Sequence, residues 1–234
     1  MTNKFKEFAK KPAFSLFGII GAIIICGGCL ITAIGYRGPS GQLYSLFTHF
    51  ISELGGVGES ELAIVFNVSI IVGALMFGIF IAGLWFYFTS IWGRIGTILG
   101  VFSSINGALV GVFPYDVAII PHGLTAMGFF YGGMFTVIFY TIAIFVEKNT
   151  QLPKYLAYFG IIGAVIFFIF NFSLTGFADM FSGEIPEVFS IEDFRPEGYW
   201  DIATFEWLAL LSVVFWMCLT SITVGRMNKR MIEK

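Results

Sequence analysis

Charge is what this sequence has least of. Lys, Arg, Asp and Glu make up 12% of its 234 residues, while 57% are hydrophobic and 18% aromatic. With a mean hydropathy of +0.87, that shortage excludes an ordinary soluble domain, in which roughly a quarter of residues are charged. It marks an integral membrane protein. Cysteine is scarce as well: Cys26, Cys29 and Cys218 all lie inside apolar runs. Neither a disulfide framework nor a zinc-ribbon spacing is supported, and the three read as packing residues. Histidine occurs only at His49 and His122, with no HExxH spacing. No loop has the oxygen-ligand spacing of an EF-hand. Internal repeats and paired broken helices are missing too, and no charge lies at a span midpoint, which disfavours a transporter of the inverted-repeat kind. The lysines at Lys4, Lys6, Lys10 and Lys11 imitate a signal peptide, but the apolar run after them is too long and lacks a clean cleavage site, so it reads as a retained span.

What is present is six long apolar runs, at 14–36, 62–88, 95–113, 123–146, 155–177 and 202–224. Each reaches the roughly 20 residues needed to cross about 30 Å of hydrocarbon as a helix. Solid runs rather than alternation exclude a transmembrane barrel. With six alternating spans, Lys4, Lys6, Lys10, Lys11, Arg94, Lys148, Lys154, Arg226, Lys229, Arg230 and Lys234 fall on one side and only Arg37 and Arg195 on the other. An odd number of spans destroys this sorting. The positive-inside rule then makes both termini cytoplasmic, in a plasma-membrane protein. The expected fold is therefore all-α: one six-helix transmembrane domain covering the chain. In the third run Gly96, Gly100, Gly107 and Gly111 fall within about 60° of one another on a helix. Gly128 and Gly132 repeat the small-xxx-small pattern in the fourth. Such faces serve close helix packing or a dimer seam; the oligomeric state is left open.

The chemically richest stretch is 43–54, LYSLFTHFISEL. Leu43, Leu46, Phe47, Phe50, Ile51 and Leu54 follow helical spacing, which predicts a short amphipathic helix between the first two spans. On its polar face His49, Ser52 and Glu53 then form an i, i+3, i+4 cluster. Further polar residues within or beside the spans need a partner or a purpose: Asn67, Asn106, Asp116, His122, Asn171 and Glu206, all on the expected outer side. An outward-opening polar pocket would use His49, Ser52, Glu53 and His122 as candidate catalytic groups and Asn67, Asn106, Asp116, Asn171 and Glu206 as ligand-binding groups. Three chemistries compete with plain structural roles. A zinc ion could be held by His49 and His122 with a carboxylate from Glu53, Asp116 or Glu206. A histidine could activate Ser52 or a water for hydrolysis. The bland alternative is that the asparagines bond across helices and Glu206 sits near a helix N-terminus where the dipole favours an anion. The stretch 178–200, acidic but interleaved with aromatics, reads as an outer lid over the bundle or a solvated acidic face.

Ile51-Ser52-Glu53-Leu54-Gly55, then Glu59-Ser60-Glu61 and Phe66-Asn67, resembles the signature of the DUF998 family of six-span membrane proteins. The resemblance continues through Asn106-Gly107, Val112-Phe113-Pro114 and His122-Gly123. More distantly, the chain resembles the DRAM-like group that includes the GPI-anchor lipid-remodelling factor, through the Ile-Ser-acidic element, the histidine opening span four and Glu206-Trp207. Glu53 stands where that group tends to have aspartate. The resemblance implies six spans, a recurring set of polar residues, and an association with lipid remodelling or distribution. The expected function is binding of a lipid or lipid-like amphiphile in that pocket, with hydrolase-like modification as its sharper variant. A non-catalytic structural or partner-binding protein is the alternative. Membrane lipids, not nucleic acid, are the expected partners.

Overall fold

The computed structural model describes residues 3–38, 41–148, 150–179 (side chains to 173) and 200–233. All regular structure among them is helical: α1 (Asn3–Ala9), α2 (Leu16–Gly35), α3 (Ala63–Leu84), α4 (Ile91–Val112), α5 (Ile119–Val146), α6 (Tyr155–Asp179) and α7 (Asp201–Ile232), with short 3₁₀ turns at Pro12–Ser15, Ile51–Gly55 and Trp85–Tyr87. Six of these helices, α2 to α7, are long and apolar enough to cross a membrane. By helix length and hydropathy the chain is a multi-pass membrane protein. Exposed Ile23, Ile34, Ile64, Leu124 and Phe168 show why: an apolar exterior of this kind is stable only against lipid.

Both termini lie at one end of the bundle, the terminal end. The turn at 46–48, the 3₁₀ turn Ile51–Gly55, the connection 113–118 and the start of α7 lie at the other, the loop end. Helix α4 starts at Ile91, ahead of the expected run, so Arg94 lies within the helix rather than in a connection and sits over the Trp85 ring at 5.3 Å. Two acceptors hold that helix start. Ser90 Oγ accepts from Gly93 N–H at 3.3 Å, and Glu147, at the end of α5, accepts from Thr89 N–H at 2.7 Å and from the Thr89 hydroxyl. These groups satisfy amides that a helix start otherwise leaves unpaired. Helix α5 accommodates Pro121 because the first helical turn needs no N–H from it.

The glycine face of α4 is filled within the chain. A Cβ built at Gly100 lies 2.7 Å from Ile81 Cγ2 of α3 and 3.0 Å from Thr136 Cγ2 of α5, and one at Gly111 lies 2.6 Å from the Asn67 carbonyl oxygen. Side chains larger than hydrogen would push α3 and α5 away. This seam therefore joins α4 to its own neighbours, the close-approach use of small residues in membranes.

At the terminal end, Tyr87 OH donates to Asn228 Oδ1 at 2.6 Å and also lies 3.0 Å from the Ala9 carbonyl. Asn228 Nδ2 faces the carbonyls of Ala9 and Lys11 at 3.2 and 3.1 Å. The Lys10 ammonium lies over the Tyr87 ring, 3.5 Å from its centre. Buried polar atoms from three distant chain segments are thus paired with one another, closing this end.

The stretch 43–54 is not one helix. It forms a turn at 46–48 followed by the 3₁₀ turn Ile51–Gly55. Ser45 O receives both Thr48 N–H and His49 N–H, and Ser45 Oγ receives Phe47 N–H, so side-chain and turn bonds replace the helical ladder. The apolar series splits accordingly. Leu43, Leu46 and Phe47 are exposed, whereas Phe50, Ile51 and Leu54 are buried. The i, i+3, i+4 cluster of His49, Ser52 and Glu53 therefore does not form. His49 and Glu53 are turned inward, at 4% and 1% exposure. The acidic stretch 178–200 lies outside the described residues except at its two ends.

Candidate functional site

A partly open cavity runs down the middle of the bundle, with about 1020 Å³ of space between atoms when the solvent at its opening is counted. Its walls follow helical spacing on each element. Helix α7 contributes Glu206, Leu210, Val213 and Met217, and α3 contributes Phe66, Ile70, Ala74, Phe77 and Ile81. These i, i+4, i+7/i+8 and i+11 series each describe one helix face. From Phe66 to Ile81 the α3 wall is about 22 Å long at 1.5 Å per residue, more than half the thickness of the hydrocarbon core. Trp216 lines the cavity toward its terminal end. It stacks on Tyr140 with ring centres 5.6 Å apart, and Tyr140 stacks on Phe88 at 5.0 Å.

Polar groups gather at the loop end of this cavity: Ser52, His122 and Glu206. His122, 9% exposed, places Nδ1 2.8 Å from the Phe113 carbonyl. Since a carbonyl only accepts, Nδ1 carries the proton, and in the neutral ring Nε2 holds the free lone pair. Glu206 is 8% exposed, and its Oε2 accepts from Ile51 N–H at 2.6 Å. Neither Glu206 Oε1 nor Ser52 Oγ has a hydrogen bond among the described residues. Deeper down, Ser103 and Thr136 donate their hydroxyls to the Phe129 and Gly132 carbonyls at 2.8 and 2.7 Å. Ser104 lines the cavity with no such bond.

None of the remaining candidates lines this cavity. His49 Nδ1 accepts from the Thr48 hydroxyl at 2.9 Å and Ser45 N–H at 3.3 Å, and its ring packs between Tyr36 and Tyr44. Glu53 Oε1 accepts Phe50 N–H at 2.7 Å, the reach-back contact of a helix start. Asn67 Nδ2 donates to the Gly55 carbonyl at 2.9 Å, and Asp116 Oδ2, at the surface, accepts Gly58 N–H at 2.7 Å. Asn106 bonds its own helix at the Phe102 carbonyl, 2.9 Å away. Asn171, on α6, lies 3.7 Å from Met134 Sδ. Among the described residues no three His, Cys, Asp or Glu side chains group to hold a metal. The zinc set of His49, His122 and a carboxylate is not assembled, because the turn at 46–48 carries His49 into an aromatic pocket instead.

Two residues that sequence reasoning passed over complete the loop end. Tyr44 OH donates to the Phe50 carbonyl at 2.9 Å and accepts from Trp207 Nε1 at 2.8 Å. Burial, and next the Glu206 carboxylate, hold its hydroxyl well above the ordinary tyrosine range. Tyr115 is likewise held high by burial and by the Glu59 carboxylate to which it donates. Ser104 was passed over as well, although it lies on the same face of α4 as Gly100 and Gly107. A second cleft, between α2 and α7, shares Ile25 and Leu210 with the cavity and is rimmed by exposed Leu30, Leu46 and Leu211.

A family model described as a protein of unknown function, DUF998, matches residues 24–223. The chain belongs to the DUF998 family. Every residue lining the central cavity, from Ile25 to Met217, falls within the part matched to DUF998, while Ala9 and Asn228 of the terminal-end cluster fall outside it. No curated protein and no solved structure matches the chain.

Proposed function

We propose that this protein binds a membrane amphiphile in its central cavity, with an apolar chain between α3, α4, α5 and α7 and a polar head at Ser52, His122 and Glu206. The observation that carries the reading is a long apolar cavity whose only cluster of unused polar atoms, among the described residues, lies at one end. That is the arrangement of a site for a molecule with one greasy part and one polar part. The distant resemblance to the lipid-remodelling group points the same way. The cleft between α2 and α7 offers the apolar chain a route from the bilayer, past Ile25 and Leu210. By the positive-inside rule the lysine-rich terminal end faces the cytoplasm, which opens the site toward the outer leaflet. Hydrolytic modification of the bound lipid is the stronger form of this reading. It draws on Ser52 and the His122 Nε2 lone pair lining one cavity.

Native mass spectrometry of protein purified in mild detergent tests the binding. The wild type is expected to carry about one lipid per chain. Ala126→Phe, which fills the cavity, is expected to lose most of that occupancy, and Val165→Phe, on the exposed face of α6, to keep it. An empty wild type, or equal occupancy in the wild type and Ala126→Phe, overturns the proposal. Release of a cleaved product on incubation, abolished by Ser52→Ala, is what the hydrolytic form requires.

A further inference from the structure

The groups at the polar end select among heads, and we infer that the cavity takes an amphiphile with an uncharged hydroxyl head, such as a long-chain alcohol or a monoacylglycerol. This deepens the proposed function and rests on it. Glu206 and His122 are both more than nine-tenths buried. Each has one polar atom engaged by backbone, at Ile51 N–H and the Phe113 carbonyl, and one left over. The His122 Nε2 lone pair calls for a donor. The Ser52 hydroxyl gives or takes a hydrogen bond, and Glu206 Oε1 accepts one. A hydroxyl donates to His122 Nε2 while the Ser52 hydroxyl donates to Glu206 Oε1, and a second hydroxyl on the head adds a donor for Glu206 and an acceptor for Ser52.

A phosphate or carboxylate head does not. Among the described residues no lysine or arginine lines the cavity, so a buried anion meets a lone pair and a carboxyl with no compensating cation. An isolated charge in such surroundings is strongly disfavoured. The starts of α5 and α7 lie at the same end and their dipoles favour negative charge, but Glu206 already stands in the second turn of α7. An ammonium head has donors enough, but it brings a charge into an apolar cavity where Glu206 is the one counter-group, and desolvating that pair costs more than burying a neutral hydroxyl. Farther in, Ser104 provides one more unpaired hydroxyl at about 12 Å, eight residues from the loop end of α4. That depth suits a second polar group, such as an ester carbonyl, on the same molecule.

The test uses the full-length protein and ligands that share one oleyl or oleoyl chain: oleyl alcohol, monooleoylglycerol, oleic acid, oleylamine and oleoyl lysophosphatidate. Each competes against a diazirine-bearing oleyl alcohol for photolabelling of the chain in detergent. The two hydroxyl heads are expected to compete at concentrations about tenfold or more below the other three, the discrimination expected where unmatched polar groups are left buried. Ser52→Ala and His122→Gln are expected to narrow that advantage to about threefold or less, while Ala126→Phe removes labelling altogether. If the acid, the phosphate or the amine competes as well as the alcohols, the head assignment is overturned and the cavity reading stands. If the wild type shows no saturable labelling and none of the five ligands is retained in native mass spectra, the cavity reading itself fails. The ligand series on the wild type decides the assignment even if a variant does not fold.

Discussion

The two ends of the bundle treat buried polar groups in opposite ways. At the terminal end, Tyr87, Asn228 and the carbonyls of Ala9 and Lys11 pair with one another across three chain segments. At the loop end, His122 and Glu206 are pinned to backbone through one atom each and present the other to a cavity. A paired buried cluster gains its free energy from the fold alone. Half-paired groups beside an apolar cavity forgo part of that gain, a cost that a ligand with matching groups offsets. The contrast separates residues that hold the bundle from residues that face something else, although both sets look alike as isolated polar letters in apolar runs.

The largest expected effect on stability is at the terminal end. Asn228→Leu strands the Lys11 carbonyl and leaves the Tyr87 hydroxyl only the Ala9 carbonyl to bond, so unfolding in detergent should become easier by about 1–3 kcal/mol. Lipid occupancy of folded protein should not change. A fall in occupancy matching that of Ala126→Phe would erase the distinction between the ends. The reverse pattern is expected at His122. His122→Leu gives up one hydrogen bond, which is worth about 0.5–1.5 kcal/mol, yet should displace the bound amphiphile. Thermal midpoints and native mass spectra of the two variants, set side by side, sharpen or break the comparison.

The smallest effect is expected at Glu147, a surface acceptor on the terminal end. Burial pulls its carboxyl upward, but hydrogen bonds from Thr89 and Ser90 outweigh this and leave it below the usual carboxylate value. A lowered carboxyl in the folded state contributes stability that is present above its unfolded value and is lost as pH falls through the folded one. Glu147→Gln should therefore lower the thermal midpoint slightly near neutral pH, and the difference from wild type should fade as the pH falls below the ordinary carboxylate range. A gap that stays constant into acid means that Glu147 acts by shape and not by charge.

How far the sequence reached differs between fold and site. Six spans followed from run length and charge sorting, because crossing hydrocarbon demands long unbroken apolar helices. The α4 glycine face was also legible, since small residues at four-residue spacing have little other use in a span. For the site, Ser52, His122 and Glu206 were among the candidates, but nothing in their spacing separated them from His49, Glu53, Asn67, Asn106, Asp116 and Asn171. Helical periodicity at 43–54 misled because local side-chain bonds at Ser45 and Thr48 compete with the helix, and periodicity registers only apolar spacing.

The sequence by itself determined that this chain lives in a membrane, that it is all helix, and which polar residues need a partner. Those properties are set by composition and by patterns within single segments. Only the tertiary structure decided which partners they have. Ile51 N–H meets Glu206 across 155 residues, and Tyr87 meets Asn228 across 141; no local pattern encodes such a pairing. The stretch LYSLFTHFISEL shows the division most plainly. Its letters announced an amphipathic helix, but local bonds at Ser45 and Thr48 together with packing on α3, α2 and α7 make it a turn that buries His49 and Glu53 and leaves Ser52 at the cavity.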